Sequence, residues 1–388
     1  MTTATALVPL WDRAAEWARR MAMVQQAQAF LYLSTYYIEH DAYGLGMLAA
    51  LIDAQRRGVA VNLLVDGFGQ RLGGALMTAA EREALAKRLD ELRGLGGVVT
   101  SYRPAGRLQQ WLGGGHHVKI QVSEAGEAIF GSSNLTASSF VKWNEYSVSI
   151  RGQVVRRLLE SYRELGGSVD EAHLRALDAV AAGRTTRTSA PLIPLDYWIC
   201  NPNALQGVLG PLGWRGCNLL TDRLVERIAR AGHAISMTSF YFKPVEALLT
   251  ALVDAAARGV AVEIHHSHRE ALPATDLAWI AAAAHYDRLL AAGIRIYENR
   301  HGEHSKIVLI DDRWVAFGSY NFEHAAHDRL AEAMLVSDDE RATRPAAEIF
   351  SGLRLDPDNI PVTPDGLDAL PAWLRARRRV LGPFKRWM

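Results

Sequence analysis

This sequence has few cysteines, no long apolar run and almost no net charge. Its 388 residues include only two cysteines, Cys200 and Cys217, which excludes a disulfide framework and a four-thiolate metal site. Because no run of about 18 uncharged apolar residues occurs, no membrane-spanning helix is expected. The 43 Lys and Arg residues nearly balance 42 acidic ones. This balance argues against a general nucleic-acid coat protein, which would be markedly basic.

The composition is otherwise that of a globular protein, with 49% apolar and 22% charged residues. The length suits two domains of about 150–200 residues each. Charged residues interrupt the N-terminal segment 1–20 before any long apolar stretch forms, so no secretory signal is expected there. We therefore expect a cytoplasmic protein that is either soluble or peripheral on the inner face of the membrane.

An internal duplication organises the chain. The segment Arg57–Val61 recurs as Arg258–Val262, 201 residues later. Each copy follows an aromatic-rich apolar run and an Ala/Leu-rich amphipathic stretch, which predicts strand, helix, glycine turn and strand twice over. Such units favour an α/β fold with a parallel or mixed sheet and helices on its faces.

A second pair of segments aligns at a different offset. Residues 117–145 and 304–332 share eight of 29 positions at an offset of 187, namely His, Lys, Ile, Phe, Gly, Ser, Asn and Glu. The first half therefore carries 14 extra residues, and Gly69–Gly97 is predicted to be this insertion, as a surface helix or lid. The predicted organisation is a first repeat at 1–165, a connector at 166–215, a second repeat at 216–370 and a basic aromatic tail at 371–388.

The second pair carries residues suited to phosphate chemistry. Each copy opens with His-x-Lys, whose two side chains share one face of a strand. A Gly-Ser-x-Asn turn follows, whose Ser and Asn can donate to a phosphoryl oxygen. Each copy ends at a glutamate, which is expected to orient the histidine of the same copy. The predicted catalytic residues are His117, Lys119, Glu145, His304, Lys306 and Glu332, and the predicted phosphate-binding residues are Ser132, Asn134, Ser319 and Asn321.

These residue types provide what displacement at a phosphodiester requires. A neutral imidazole can attack phosphorus when its other nitrogen is held by a hydrogen bond. Lysines and amides stabilise the charge on the phosphoryl oxygens. A second histidine can protonate the leaving alkoxide and later deprotonate the acceptor. This chemistry needs no metal or cofactor, and none is predicted.

The pattern resembles the HxKxxxxD signature of the phospholipase D superfamily. His304, Lys306 and Asp311 match it, and in the first copy Glu124 stands where the aspartate is expected. The resemblance implies two α/β-sandwich repeats, related by pseudo-two-fold symmetry, around one shared active site. It also implies a phosphohistidine intermediate with His117 as nucleophile and His304 as acid and base, and a structural role for Glu124 and Asp311.

Within the superfamily the sequence looks most like the bacterial cardiolipin synthases. Tyr36–Ile38 and Val65–Gly69 resemble the first half of those enzymes, and Arg329–Ala333 resembles their second motif without its asparagine. The resemblance implies a phosphatidyltransferase that acts on phospholipids. The alternatives are hydrolysis of phospholipid head groups, a nuclease-type phosphodiesterase, and a catalytically degenerate lipid-binding protein.

Two other features allow more than one interpretation. Residues 371–388 contain six basic residues and no acidic one, so the other 370 residues carry a net charge of −5. This tail could contact an anionic membrane surface, dock on its own domain, or bind nucleic acid. The net negative charge of the other 370 residues argues against nucleic acid. The cluster of His265, His266 and His268 suits a substrate pocket, a metal, or no specific role. The sequence does not indicate an oligomeric state.

Overall fold

The computed structural model describes residues 2–204, 218–272 and 276–382. The first half contains strands β1 (Thr2–Leu10), β2 (Phe30–Thr35), β3 (Ala60–Asp66), β4 (Val98–Tyr102), β5 (Gly115–His116), β6 (Lys119–Ser123), β7 (Glu127–Gly131) and β8 (Ser147–Gly152). Its helices are α1 (Arg13–Gln26), α2 (Ala42–Arg56), α3 (Gly67–Ala75), α4 (Ala79–Gly94), α5 (Arg107–Trp111), α6 (Val154–Glu164) and α7 (Glu171–Thr185), with a π-helical turn at Ser138–Lys142.

The second half repeats this arrangement. Its strands are β9 (Ile193–Cys200), β10 (Ala234–Ser239), β11 (Ala261–Ser267), β12 (Arg295–Asn299), β13 (Ile307–Ile310), β14 (Trp314–Gly318), β15 (Leu330–Ser337) and β16 (Asn359–Pro361). Its helices are α8 (Leu219–Ala229), α9 (Glu246–Ala257), α10 (Leu277–Ala283), α11 (Tyr286–Ala291), α12 (His324–Asp328), α13 (Glu340–Leu355), α14 (Pro364–Asp368) and α15 (Ala372–Leu381), with a 3₁₀ turn at Arg269–Ala271.

One mixed sheet runs through both repeats. The strand order is β16, β12, β11, β10, β13, β14, β15, β9, β1, β8, β7, β6, β2, β3, β4, and β5 pairs with β15 from the side. The repeats meet where β1 pairs antiparallel with β9, and each of these strands pairs with the corresponding strand of its own repeat, β8 or β15. Read outward from the junction, the order is the same in both directions except that the second repeat adds β16 at its edge. The predicted α/β fold of two pseudo-two-fold related repeats is confirmed.

The duplicated strand–helix–strand unit is also confirmed. β2 pairs parallel with β3, and β10 pairs parallel with β11. Gly58 and Gly259 end the intervening helices with φ angles of 92° and 91°. Glycine adopts this left-handed conformation without the steric cost of a Cβ atom, which explains why both turns contain it.

The buried core continues across the junction. One cluster contains residues of both repeats, including Tyr146 and Phe317, whose ring centroids are 5.1 Å apart. Separate clusters lie under the outer helices of each repeat. Because the shared cluster joins the two repeats through apolar contacts, the residues at the centre of the sheet are held in a fixed relation.

The extra residues of the first half lie elsewhere than predicted. Both repeats have two helices between their second and third parallel strands, so 69–97 has a counterpart in α10 and α11. Ten of the 14 extra residues lie instead in 103–116, between β4 and His117, where the second repeat has only 300–303. The other four lie between β3 and β4. The prediction that Gly69–Gly97 is the insertion is therefore wrong for ten of the 14 residues, because an offset between motifs counts residues without locating them.

The segment expected to be a connector is partly folded into the sheet. Residues 166–215 include α7 and also β9, which pairs with β15 and β1. Residues 193–200 are therefore better treated as the first strand of the second repeat, and 205–215 lie outside the described residues.

The described part of the tail is helical and docks on its own repeat. α15 packs beside α10, with Leu374 fully buried and Arg378 2.7 Å from Asp287. Residues 383–388 lie outside the described part of the chain. Among the helices that the structure describes, none is long and apolar enough to span a bilayer.

Candidate active site

The two His-x-Lys segments meet at the junction of the repeats. His117 lies between β5 and β6, and its backbone N–H donates to Ala331 in β15 of the other repeat at 2.8 Å. The N–H of His304 likewise donates to Asn144 of the first repeat at 2.8 Å. The two imidazole centroids are 6.5 Å apart. Both rings are therefore close enough to contact a single phosphoryl group.

Each histidine lies against the glutamate of the opposite repeat, and His304 is hydrogen-bonded to it. Nδ1 of His304 is 2.8 Å from Oε2 of Glu145, and Nδ1 of His117 is 3.1 Å from Oε1 of Glu332. The expectation that each glutamate orients the histidine of its own block is thus wrong. The pseudo-two-fold axis runs between the blocks, so each glutamate faces the opposite block.

These contacts fix which imidazole nitrogen is free. Nδ1 of His117 also lies 3.0 Å from the carbonyl oxygen of Ser319, which can only accept a hydrogen bond. The proton of neutral His117 is therefore on Nδ1, and Nε2 keeps its lone pair.

The serines of the two turns hold the glutamates. Ser132 donates to Glu145 and Ser319 donates to Glu332, and Ser139 also donates to Glu145 at 2.6 Å. This arrangement differs from the predicted contact of Ser132 and Ser319 with a phosphoryl oxygen, because their hydroxyl hydrogens are already used.

The asparagines and lysines remain closer to the predicted arrangement. The side-chain oxygens of Asn134 and Asn321 are buried and have no hydrogen-bond partner among the described residues. Contact with a phosphoryl oxygen would use the amide nitrogen of each side chain, because only that end donates. The ammonium of Lys119 donates to the carbonyl of His117 at 2.8 Å, and that of Lys306 donates to the carbonyl of His304. Each ammonium has two further protons available for an anionic ligand.

Aromatic rings enclose both histidines. Trp143 stacks on His304 with centroids 5.0 Å apart, and Phe240 meets the same ring edge-on at 4.7 Å. Tyr36 meets His117 edge-on at 4.8 Å. The sequence did not predict a role for Trp143. Its counterpart in the second repeat is Leu330, so aligning the two repeats shows no shared residue at this position.

Burial controls the protonation of the histidines. It lowers the pKa of His304 to about 4, although Glu145 opposes the change. It lowers the pKa of His117 well below the usual range, and the nearby Lys119 and Lys306 add to this effect. His304 is therefore the histidine that more readily carries a proton, because it has an ionised carboxylate beside it.

The two glutamates also differ in their pKa values. Burial by itself would raise the pKa of Glu145, but His304 and Lys306 outweigh it and hold the value at about 2. Burial raises the pKa of Glu332 to about 8, against the attraction of Lys119. The first glutamate is thus charged at neutral pH, while the second is largely neutral.

Both lysines have lowered pKa values. Burial lowers the pKa of Lys306 to about 8, although Glu145 and Glu332 counteract it. Burial followed by repulsion from Lys306 lowers the pKa of Lys119 well below its usual range. An anionic phosphodiester would restore the charged forms, because an opposite charge favours ionisation.

The acids of the two motifs lie outside the hydrogen-bonded centre. Asp311 accepts hydrogen bonds from the N–H groups of residues 232–234, at the start of β10, with distances of 2.7–2.9 Å. Glu124 accepts from the N–H of Gln28 at 2.7 Å and of Phe30 at 3.4 Å, at the start of β2. The longer glutamate therefore makes the same kind of contact as the aspartate.

The histidine cluster of the second repeat has structural contacts. Nε2 of His266 is 2.7 Å from the hydroxyl of Tyr286, and Nδ1 of His265 is 2.7 Å from the amide of Asn359. His268 is only partly buried and caps the 3₁₀ turn. Across the described ranges, no group of three or more potential ligands is arranged to hold a metal.

Comparisons with known proteins agree with this architecture. A family model described as cardiolipin synthase, PLD-like domain, matches residues 21–165 and 224–354. The cardiolipin synthase of Geobacillus kaustophilus is 25% identical over 312 residues, which cover 78% of this chain and 57% of that protein. Cardiolipin synthase B of Salmonella typhi is 24% identical over 340 residues, covering 85% of this chain and 76% of that protein.

A solved structure shares the whole fold. The phosphatidylserine synthase of Haemophilus influenzae Rd KW20 has a TM-score of 0.72, with 14% identity, and the superposition covers 100% of this chain and 96% of that one. The fold is therefore shared over the full length of this chain.

Proposed function

Because the chain belongs to the family of PLD-like domains described for cardiolipin synthase, we propose that it is a phosphatidyltransferase. It transfers a phosphatidyl group between phospholipid alcohols through a phosphohistidine. One observation carries the proposal. Two imidazoles lie 6.5 Å apart at the repeat junction, and the Nδ1 of each lies within 3.1 Å of a glutamate of the opposite repeat.

In the first step His117 attacks the phosphodiester of the donor lipid. Its Nε2 lone pair forms the bond to phosphorus, and the bond from phosphorus to the leaving alcohol oxygen breaks. The bound anionic phosphodiester and ionised Glu145 favour the protonated form of His304. His304 then gives its proton to that oxygen, so the alcohol leaves as a neutral molecule. Lys119 and Lys306, with Asn134 and Asn321, stabilise the charge on the phosphoryl oxygens.

In the second step the hydroxyl of an acceptor lipid attacks the phosphohistidine. His304, now neutral, takes the proton of that hydroxyl while the phosphorus–nitrogen bond to His117 breaks. The electrostatics support these roles, because His304 has ionised Glu145 beside it and His117 has the largely neutral Glu332.

Product analysis distinguishes this function from its alternatives. Incubation with phosphatidylglycerol vesicles is expected to give cardiolipin and glycerol. Release of phosphatidic acid would instead indicate hydrolysis, and binding without turnover would indicate a degenerate lipid-binding protein. Cleavage of single-stranded DNA that disappears in His304→Ala would indicate a nuclease.

Trapping the intermediate tests the assignment of the nucleophile. Enzyme denatured in alkali during turnover of phosphorus-labelled phosphatidylglycerol is expected to carry the label on the peptide that contains His117. A label on the His304 peptide would reverse the two roles. His117→Ala, denatured in the same way, serves as the unlabelled control.

We further propose that residues 371–388 contact an anionic membrane surface. Trp373 and Val380 are exposed on α15 although Leu374 is buried, so the helix keeps an outward apolar face beside exposed Arg375 and Arg379. Arg375→Gln with Arg379→Gln is expected to weaken sedimentation with phosphatidylglycerol vesicles. Unchanged sedimentation would show that these arginines of the tail do not contribute to membrane binding and would contradict the proposal.

A further inference from the structure

The segment that breaks the internal symmetry also builds a basic cavity. Ten of residues 103–116 have no counterpart in the second repeat, and the segment folds against α3. Together they enclose a cavity of about 270 Å³. Its wall includes Phe68, Arg71, Arg103, Arg107 and Trp111.

The three arginines of this cavity lack acidic partners. Within the described ranges, no carboxylate lies within salt-bridge distance of Arg71, Arg103 or Arg107, and all three side chains are exposed. Arg71 lies over the ring of Phe68, 5.4 Å from its centroid. Most other arginines of this repeat are paired, as Arg56 is with Glu91. Three unpaired guanidinium groups around one cavity form a site for an anion such as a phosphate.

Large apolar side chains are exposed next to the arginines. Trp111 is 78% exposed, and Leu72, Leu76 and Leu108 are between 46% and 52% exposed. All four lie on α3, the residue after it, or α5, the two helices that form the cavity. Exposed tryptophan and leucine beside arginine is the composition of a surface that enters the interface of an anionic bilayer.

The segment is fixed to the active site. Asp66 accepts a hydrogen bond from the N–H of Gly69 in α3 at 2.6 Å and from the N–H of His116 at 2.8 Å. The next residue after His116 is His117. The α3 helix also packs on Tyr36, whose backbone oxygen would be 2.4 Å from a Cβ at Gly69, and Tyr36 itself contacts His117. The cavity therefore lies beside the first half of the site.

We propose that α3 and residues 103–114 form the surface that docks this protein on an anionic phospholipid bilayer. Trp111, Leu108, Leu72 and Leu76 enter the interfacial region, and the arginine cavity binds the phosphate of one lipid head group. This proposal rests on the proposed function in one respect, since docking here brings bilayer lipid to His117.

Vesicle sedimentation tests the surface in the full-length protein. The vesicles contain equal parts of phosphatidylglycerol and phosphatidylcholine, with pure phosphatidylcholine as the uncharged comparison. Arg103→Gln is expected to lower the partition coefficient about fivefold on the mixed vesicles, and Arg103→Gln with Arg107→Gln about 25-fold. Leu108→Ser with Trp111→Ser is expected to lower it at least about tenfold.

Matched controls lie on the second repeat. Arg344→Gln removes an exposed charge, and Leu355→Ser removes an apolar side chain that is 84% exposed. Neither is expected to change vesicle binding. Equal losses in these controls, or no loss in the cavity variants, would overturn the proposal. All substituted side chains are exposed, so each variant is expected to keep its thermal unfolding midpoint.

A dispersed substrate separates docking from catalysis. On short-chain phosphatidylglycerol below its micelle concentration, the cavity variants are expected to turn over as fast as the wild type. Loss of that turnover would place the cavity in the catalytic site and overturn a docking role. If the wild type turns over phosphatidylglycerol neither in vesicles nor in dispersion while the variants lose vesicle binding, the proposed function fails and the docking surface stands.

Discussion

Lys306 is buried, and its ammonium group therefore loses its proton more easily than that of an exposed lysine. Burial lowers its pKa to about 8, so the ammonium form that stabilises a phosphoryl group is lost as the pH rises through that value. The kcat/KM of the free enzyme should therefore fall above about pH 8. In Lys306→Arg the charge persists, because a guanidinium stays protonated, and the falling limb is expected to move to higher pH.

The control for this pH profile is Lys142→Arg, which changes an exposed lysine of the first repeat. It is expected to leave the profile unchanged. If the falling limb of Lys306→Arg stayed near pH 8, another group would have to account for it. A pH series of initial rates with phosphatidylglycerol measures both.

The crossed pairing of Glu145 with His304 can be measured as a coupling energy. Urea unfolding of wild type, Glu145→Gln, His304→Ala and the double variant forms a double-mutant cycle. Since the contact is a charge-assisted hydrogen bond of 2.8 Å in a buried site, the expected coupling is about 1.5–3 kcal/mol.

The matched cycle combines Glu145→Gln with His117→Ala. Its expected coupling is below about 0.5 kcal/mol, because the Nδ1 group of His117 is hydrogen-bonded to the carbonyl of Ser319 and lies beside Glu332, not Glu145. A larger coupling in this second cycle than in the first would contradict the crossed arrangement and restore the pairing within one block.

At the scale of single elements, the motif acids secure the first residues of the inner strands. Burial would raise the pKa of Asp311, but the N–H groups of Ala234, Gly232 and His233 outweigh it and lower the pKa. Asp311→Asn is therefore expected to reduce the free energy of unfolding by about 1 kcal/mol at neutral pH. Asparagine tolerates the positive φ of 55° at this position, so the change isolates the carboxylate.

The pH dependence of that difference has a definite sign. The folded-state pKa of Asp311 is depressed, so its contribution is present above the unfolded value of about 4 and declines as the pH falls below it. Asp312→Asn, with a φ of 53°, is the control and is expected to change stability by less than about 0.5 kcal/mol. Urea midpoints at neutral pH and near pH 3 measure both variants, and an equal loss in Asp312→Asn would contradict the assignment.

At the scale of the whole molecule, one chain contains one complete site. The two repeats share a sheet through β1 and β9 and share a buried cluster. Mixing full-length His117→Ala with full-length His304→Ala is therefore expected to restore no transferase activity, because each chain lacks one of the two imidazoles. Recovery of activity above the sum of the separate variants would show that repeats exchange between chains.

Much of the candidate site could be predicted because the duplication repeats its residue types in both halves. His117 and His304, with their lysines, stand out when the two halves are aligned. The position of Trp143 on His304 could not be predicted, because the residue has no counterpart in the second repeat. The location of the extra residues of the first repeat could not be predicted either. Only the strand boundaries in the structure show which segment of the first repeat has no equivalent in the second.

The sequence by itself determined the two α/β repeats and indicated the residue types of the candidate site, from which a phosphodiester chemistry is proposed, because local patterns and repeated motifs are properties of the chain. Only the tertiary structure decided which glutamate serves which histidine. Glu145 and His304 are 159 residues apart and meet across the pseudo-two-fold junction. Spacing along a chain carries no information about an axis that forms only when β1 pairs with β9.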